Sequence, residues 1–232
     1  MDLGEPIASH KKAGSQSVTT QSLVDYWFSW YNTGVAIGNI NNGYRYQSTN
    51  GQYPTYQEGE TLFSIIDTGS TALVISALYY ESLIRETFSV AGVSDWEFVQ
   101  GAVLTKCANM AAMPSLFFQL DGAWIEARPE DYMFDYNGKG DCMLFITPMN
   151  AAFNIIGMPV FVDYYSEHDP VSGTVVWTPH SNSVKTNVLT GPVPTGDKLL
   201  TLGALPESPT DLLAKYAVSA LFCWGAIYAW ET

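Results

Sequence analysis

Short apolar runs separated by turn-forming residues make up most of the chain. The runs TLFSIID, residues 61–67, and ALVIS, residues 72–76, have the length and composition of buried β-strands. From Pro114 the same pattern repeats as far as Pro179. Chain reversals are predicted in three places, which are Asp121-Gly122, Asn137-Gly138 and Asp169 to Gly173. The pattern therefore predicts a mainly β domain built largely from antiparallel hairpins.

Two stretches depart from this alternation. The sequence ALYYESLIRETF, residues 77–88, predicts a helix of about ten residues, because four apolar side chains share one helical face. These side chains are Leu78, Leu83, Ile84 and Phe88. The Gly-, Asn-, Tyr- and Gln-rich stretch 39–60 predicts a long hairpin excursion.

Differences in composition divide the chain into four predicted regions. Residues 1–24 form a polar lead-in, residues 25–179 a β lobe, residues 180–210 a Gly- and Pro-containing linker or arm, and residues 211–232 an apolar helix. The 19 residues from Leu212 to Trp230 would span about 28 Å as a helix, close to the ~30 Å hydrocarbon core of a membrane. A transmembrane anchor, a helix packed against a partner and a removable lipid-anchor signal are the three interpretations.

The charge balance and the histidine spacing exclude several classes of function. Acidic residues outnumber basic ones by 23 to 10, which gives a net charge of -13, so nucleic-acid binding is not expected. The isolated residues His10, His168 and His180 form no metal-ligand motif. Phosphate loops and serine or cysteine nucleophile motifs are also absent from the sequence. We therefore expect neither a metal nor another cofactor.

The candidate chemistry lies in FSIIDTGSTALVI, residues 63–75, where Asp67 falls in a tight turn between two buried strands. Ionising a buried carboxylate costs several kcal/mol unless hydrogen-bond donors surround it. Gly69 allows a sharp turn that brings backbone N–H groups near the carboxylate, and Thr68 and Ser70 can supply hydroxyl donors. The pattern indicates an Asp held ionised in a dry site, and a capped turn without catalytic function is the alternative.

This loop and the segments around it resemble the C-terminal lobe of the pepsin-like aspartic proteases. The resemblance covers Leu3 to Pro179 and depends on five features in the family's order. They are LGEPIASHKKAGSQSV, VDYWFSWYNTGVAIGN, SIIDTGSTALVI, MPSLFFQLDGAWIEARPEDYMFDYNGKGDCMLFI and FNIIGMPVFVDYYSEHDPVSGTVVWTP. It implies a single lobe of a two-lobed protease, with one or two short helices beside its strands.

The resemblance also implies roles for individual residues. Asp67 corresponds to the catalytic Asp of the second lobe, and Thr68 to the Thr whose hydroxyl helps to lock the two active-site loops together. The remaining support of the loop is implied for Gly69, Ser70, Ile155, Ile156 and Gly157. The sequence departs from the family pattern at two positions, because Met158 replaces a frequent Asp and Thr71 replaces a Ser.

A disulfide between Cys107 and Cys142 is implied by the same resemblance, because the family's second lobe carries a bridge at these places. A bridge that closes a loop of this length stabilises a protein by about 3 to 4 kcal/mol in the chain-entropy model. It would place the lobe on an oxidising side of a membrane, whether lumenal, extracellular or intermembrane. The third cysteine, Cys223, is expected to be a free packing residue or a lipidation site.

The function implied is that of an aspartic endopeptidase lobe, which hydrolyses peptide bonds with an activated water when a second carboxylate is present. The sequence contains a single D-[ST]-G motif. Four other acids, Asp121, Asp141, Asp163 and Asp169, fall in turns or in the closing strand and are expected to be structural. The partner Asp would therefore come from a second lobe or a second copy of the chain. The alternative is a catalytically silent lobe that serves as an accessory subunit of a membrane complex.

Overall fold

The computed structural model describes residues 6–23, 29–47, 63–99, 101–151, 153–192 and 199–201. The β-strands of this part are β1 Val18–Gln21, β2 Ser29–Ile37, β3 Gly43–Gln47, β4 Phe63–Ile66, β5 Leu73–Ser76, β6 Trp96–Val99, β7 Ala102–Lys106, β8 Leu116–Leu120, β9 Ala123–Ala127, β10 Met133–Asp135, β11 Asp141–Leu144, β12 Ile146–Met149, β13 Phe153–Ile156, β14 Tyr164–Asp169, β15 Thr174–Pro179, β16 Leu189–Thr190 and β17 Leu199–Thr201. The helices are α1 Tyr80–Ala91, α2 Pro129–Tyr132 and α3 Met158–Phe161, with 3-10 turns at Ala8–His10 and Cys107–Ala112. The predicted mainly β fold with few short helices is confirmed.

The largest sheet places β13 between β4 and β5. Strand β13 runs parallel to β4, with Asn154 opposite Ser64 and Ile156 opposite Ile66. It meets β5 in the antiparallel sense. Because β4 and β5 lie on either side of β13, the turn that joins them crosses the end of that strand. This turn contains Asp67.

The long strand β2 joins the two halves of this sheet. Its residues 29–31 pair with β4, and its residues 32–37 pair with β8. The register shifts between Asn32 and Val35. A bulge of this kind bends and twists a strand, so one strand belongs both to the β4 side and to the meander formed by β8 and β9.

The predicted hairpins are present. Strands β8 and β9 are joined at Asp121 and Gly122, whose φ angles of 47° and 79° both lie in the left-handed region. This backbone matches the right-handed twist of a two-residue hairpin, which is why Asp-Gly is favoured there. The other two predicted reversals, at Asn137-Gly138 and at 169–173, join β10 to β11 and β14 to β15.

Helix α1 packs its apolar face into the main core. Its side chains Leu83, Ile84 and Phe88 are fully buried, as the spacing of apolar residues predicted. The fourth predicted residue, Leu78, lies just before the first turn and is partly buried against the same core. The helix ends at Gly92, which has a left-handed φ of 67°. Glycine adopts this conformation without a steric penalty, so it is a common helix stop.

Two smaller sheets complete the lobe, with strand orders β1-β15-β14 and β10-β11-β7-β6. Beyond Pro179 the described chain stays against the lobe, because β16 pairs with β9 and β17 pairs with β3. The division of the chain into four regions stays a prediction. No helix among the described residues is long and apolar enough to cross a membrane. The predicted apolar helix at 211–232 and most of the predicted excursion, residues 48–60, lie outside the described residues.

Candidate active site

Asp67 is the first residue after β4 and begins the turn that leads to β5. Its backbone N–H donates a hydrogen bond of 3.1 Å to the carbonyl of Ile156, and its own carbonyl accepts a hydrogen bond of 3.2 Å from the N–H of Ser70. These bonds fix the backbone on both sides of the carboxylate. Asp67 is half-buried, so part of the residue remains accessible to solvent.

The carboxylate receives a backbone donor from its own turn. The N–H of Gly69 donates a hydrogen bond of 2.8 Å to Oδ1 of Asp67, as the sequence predicted for this glycine. A Cβ atom on Gly69 would lie only 3.1 Å from that oxygen. The absence of a side chain therefore permits the close approach of backbone and carboxylate.

The Ser70 hydroxyl is directed differently from the expected pattern. The Ser70 hydroxyl donates a hydrogen bond of 3.1 Å to the carbonyl of Ala72, so its proton is not available to Asp67. Thr68 is exposed to solvent.

The end of β13 passes directly beneath this loop. A Cβ atom on Gly157 would lie 2.2 Å from the carbonyl oxygen of Ala72 and 2.5 Å from that of Ser70. The N–H of Met158 donates a hydrogen bond of 2.8 Å to the same Ser70 oxygen. Only glycine fits at position 157, and the completely buried Ile156 precedes it. The structure thus brings the loop 67–70 together with Ile156 and Gly157.

A polar pair below the loop is not among the residues singled out from the sequence. Ser64 on β4 and Asn154 on β13 are both completely buried and are joined by a hydrogen bond of 3.2 Å. The sequence contains one indication of this pair, the amide of Asn154 in the otherwise apolar run FNII, because a buried amide requires hydrogen-bond partners. Its partners, which are distant in the chain, are visible only in the folded structure.

Asp163 is structural, as expected. It is completely buried, and its Oδ2 atom lies 2.6 Å from Nε of Arg128 and 3.3 Å from Nζ of Lys185. Its Oδ1 atom accepts a hydrogen bond of 2.6 Å from the Ser183 hydroxyl. Lys185 also pairs with Glu126 on β9. This set of ion pairs connects the residues after β15 to the body of the lobe.

The other three acids are also engaged in local structure. Asp121 forms the β8–β9 turn. Asp141 is paired with Lys106, whose hydrogen bond lowers the pKa of the Asp141 carboxyl. Asp169 caps the β14–β15 reversal, and the hydroxyl of Ser172 together with nearby backbone N–H groups lowers the pKa of the Asp169 carboxyl. Stabilised charge at Asp141 and Asp169 supports a strand end and a turn.

The histidines and the acidic groups form no metal centre in the described part of the chain. The rings of His10 and His180 are 6.1 Å apart, and the His10 ring lies 5.7 Å from the ring of Tyr165. A surface groove of about 450 Å³ lies on the four-stranded sheet, lined by residues that include Trp96 and Tyr136. None of its lining residues belongs to the Asp67 loop.

Cys107 and Cys142 form the expected disulfide bridge. The bridge joins the 3-10 turn after β7 to strand β11, across 35 positions of sequence. Cys142 is completely buried. Because structural disulfides persist in oxidising environments, the bridge indicates that the lobe resides in an oxidising compartment.

The comparisons with known proteins agree with this geometry. A family model described as eukaryotic aspartyl protease matches residues 32–178, which is more than half of the chain. The matched region includes the Asp67 loop, the crossing strand β13 and both bridged cysteines. No curated protein matches the sequence.

Proposed function

The chain belongs to the eukaryotic aspartyl protease family, and from this premise we propose that Asp67 is one of the two catalytic aspartates of a pepsin-like endopeptidase. In this chemistry two carboxylates share one proton. The ionised carboxylate takes a proton from the attacking water, and the protonated one donates to the carbonyl oxygen of the peptide bond. The substrate is a peptide, and no cofactor takes part.

The hydrogen bond from Gly69 to Asp67 is the observation that carries this proposal. A backbone donor at 2.8 Å fixes the orientation of the carboxylate. The close crossing at Gly157 holds the loop from below. Together they give Asp67 an orientation set by backbone atoms, and reacting groups in catalytic sites require orientation of this kind.

The second carboxylate is supplied by a second lobe or by a second copy of the chain. Asp121, Asp141, Asp163 and Asp169 are occupied in turns and ion pairs, and the sequence contains one D-[ST]-G motif. The exposed position of Thr68 supports this proposal, since its side chain is accessible to a facing loop. A twofold axis through two such loops would bring two Asp67 carboxylates together.

We further propose that the lobe is attached to a membrane or to a membrane assembly through Leu212 to Trp230. The composition and length of this segment support the proposal. An oxidising, extracytoplasmic side of that membrane agrees with the Cys107–Cys142 bridge. Carbonate extraction of membranes would test the attachment. We expect the protein to resist extraction, and we expect a variant without residues 212–230 to be extracted.

The catalytic proposal is tested by peptide hydrolysis with the protein isolated together with its natural partners. We expect cleavage with an acidic optimum and sensitivity to pepstatin, and a loss of kcat/KM of about 10³-fold or more in Asp67→Asn. Asp121→Asn is the matched control, because it makes the same chemical change in an exposed turn that tolerates Asn.

Two outcomes would overturn the catalytic proposal. Activity that survives Asp67→Asn would show that this carboxylate is not catalytic. Absence of hydrolysis from an assembly that contains the folded chain would favour the alternative, a catalytically silent lobe retained as an accessory subunit. The replacement of the family's frequent Asp by Met158, next to the loop, is the observation that favours this second candidate.

A further inference from the structure

Asn154 lies on β13, the strand that β4 and β5 enclose, and its side chain is completely buried. Its Oδ1 atom accepts a hydrogen bond of 3.0 Å from the N–H of Ser76 and one of 2.7 Å from the hydroxyl of Tyr79. Its amide nitrogen donates a hydrogen bond of 3.2 Å to the Ser64 hydroxyl. The two lone pairs of the oxygen and one of the two amide protons are therefore used inside the core.

Each partner belongs to a different part of the fold. Ser64 is on β4, Ser76 is the last residue of β5, and Tyr79 immediately precedes α1. The Ser76 hydroxyl extends the network, because it donates a hydrogen bond of 2.6 Å to the carbonyl of Ala151. One amide group thus connects both strands that carry the Asp67 loop, the start of α1 and the segment that leads into β13.

The network bears on the register of β13 against β4. Asn154 is opposite Ser64, and two residues further on Ile156 is opposite Ile66 and accepts the N–H of Asp67. A shift of β13 by one residue would replace Asn154 with an apolar neighbour and break all three of these hydrogen bonds. The same shift would carry the Ile156 carbonyl and Gly157 away from the loop.

We propose that Asn154 is a positioning residue for Asp67. It does not touch the reacting groups, and it acts by holding β13 in the one register that places Ile156 and Gly157 beneath residues 67–70. This inference rests on the proposed catalytic function of Asp67. An apolar residue at position 154 would fill the core equally well but would specify the register less strictly, because hydrophobic contacts are not directional.

Amide hydrogen exchange of the folded protein tests this inference without any measurement of activity. The N–H groups of Asp67 and Gly69 report on the loop, and neither bonds to the Asn154 side chain. The N–H groups of Phe118 and Ile125, which face each other in β8 and β9, report on the rest of the core. We expect Asn154→Ala to accelerate exchange at Asp67 and Gly69 about tenfold relative to these references.

Thr20→Ala is the matched control. Thr20 is also completely buried, and its hydroxyl accepts a hydrogen bond of 3.1 Å from Nε1 of Trp177 on the separate β1-β15-β14 sheet. Both substitutions remove a buried polar group and lower global stability, but only Asn154→Ala is expected to change the ratio of loop to reference exchange. An equal change of this ratio in both variants would overturn the inference. If Asn154→Ala does not fold, Tyr79→Phe removes one bond of the network and is measured in the same way.

Kinetics separate this inference from the proposed function. In an active assembly, Asn154→Ala should lower kcat about tenfold with little change in KM, because the side chain meets no substrate. Tyr79→Phe should give a smaller loss in the same direction. If Asp67→Asn retains activity, the proposed function fails, and the exchange ratio still decides whether Asn154 holds the loop. If the exchange ratio is unchanged while Asp67→Asn is inactive, only the role of Asn154 is rejected.

Discussion

The backbone N–H of Gly69 lies 2.8 Å from Oδ1 of Asp67 and donates a hydrogen bond to it. The donor comes from the same turn as the carboxylate, so a segment of three residues carries both the acid and a group that orients it. The loop is supported from below by the end of β13, where Gly157 contacts the carbonyl groups of Ser70 and Ala72. The two glycines serve different purposes, and their substitution should therefore have different effects.

Gly157→Ala should destabilise the protein by about 3 kcal/mol, because the new Cβ atom would overlap two backbone carbonyl oxygens that cannot rotate away. Gly69→Ala should cost less than about 1 kcal/mol, since the atom it meets is the end of the Asp67 side chain. Urea denaturation of both variants measures the difference. A Gly157→Ala variant as stable as the parent would show that the strand does not cross the loop this closely.

Lys185→Met should lower the free energy of unfolding by about 3 kcal/mol, because Glu126 and the buried Asp163 each lose a cationic partner. The same change at Lys106, whose side chain is largely exposed in its pair with Asp141, should have little effect. Denaturation curves of the two variants give the comparison.

The same two variants examine the region that follows Pro179. If the ion pairs hold this region to the lobe, limited proteolysis should cut Lys185→Met more readily between positions 180 and 192, and should leave Lys106→Met as resistant as the parent. Equal resistance of all three proteins would mean that Lys185 does not anchor the segment.

Replacement of both Cys107 and Cys142 by Ala should lower the free energy of unfolding by about 3 to 4 kcal/mol. The reason is that the unfolded chain regains the conformational entropy that the bridge removes by closing a loop. A reducing agent should destabilise the parent protein by a similar amount and leave the double variant unchanged. Calorimetric or denaturant unfolding with and without the reductant measures both effects. Insensitivity of the parent protein to reduction would contradict a stabilising role for the bridge.

Much of the fold was predictable because its signals are local. Alternating apolar runs gave the strands, Asp121-Gly122 gave a hairpin through its preference for left-handed backbone, and the spacing of Leu83, Ile84 and Phe88 gave the helix. The Ser70 hydroxyl was predicted as a donor to Asp67, but in the folded turn it donates to the carbonyl of Ala72.

The sequence by itself determined the class of the fold, the D-T-G loop and the candidate acid, because each of these is written within a few consecutive residues. Only the tertiary structure decided what holds that acid in place. Ser64 and Asn154 are 90 positions apart and become partners when β13 pairs with β4. Gly157 is required because the chain passes beneath a loop, residues 67–70, that lies much earlier in the sequence. Contacts of this kind depend on the pairing of strands that are far apart in the sequence, which no local pattern specifies.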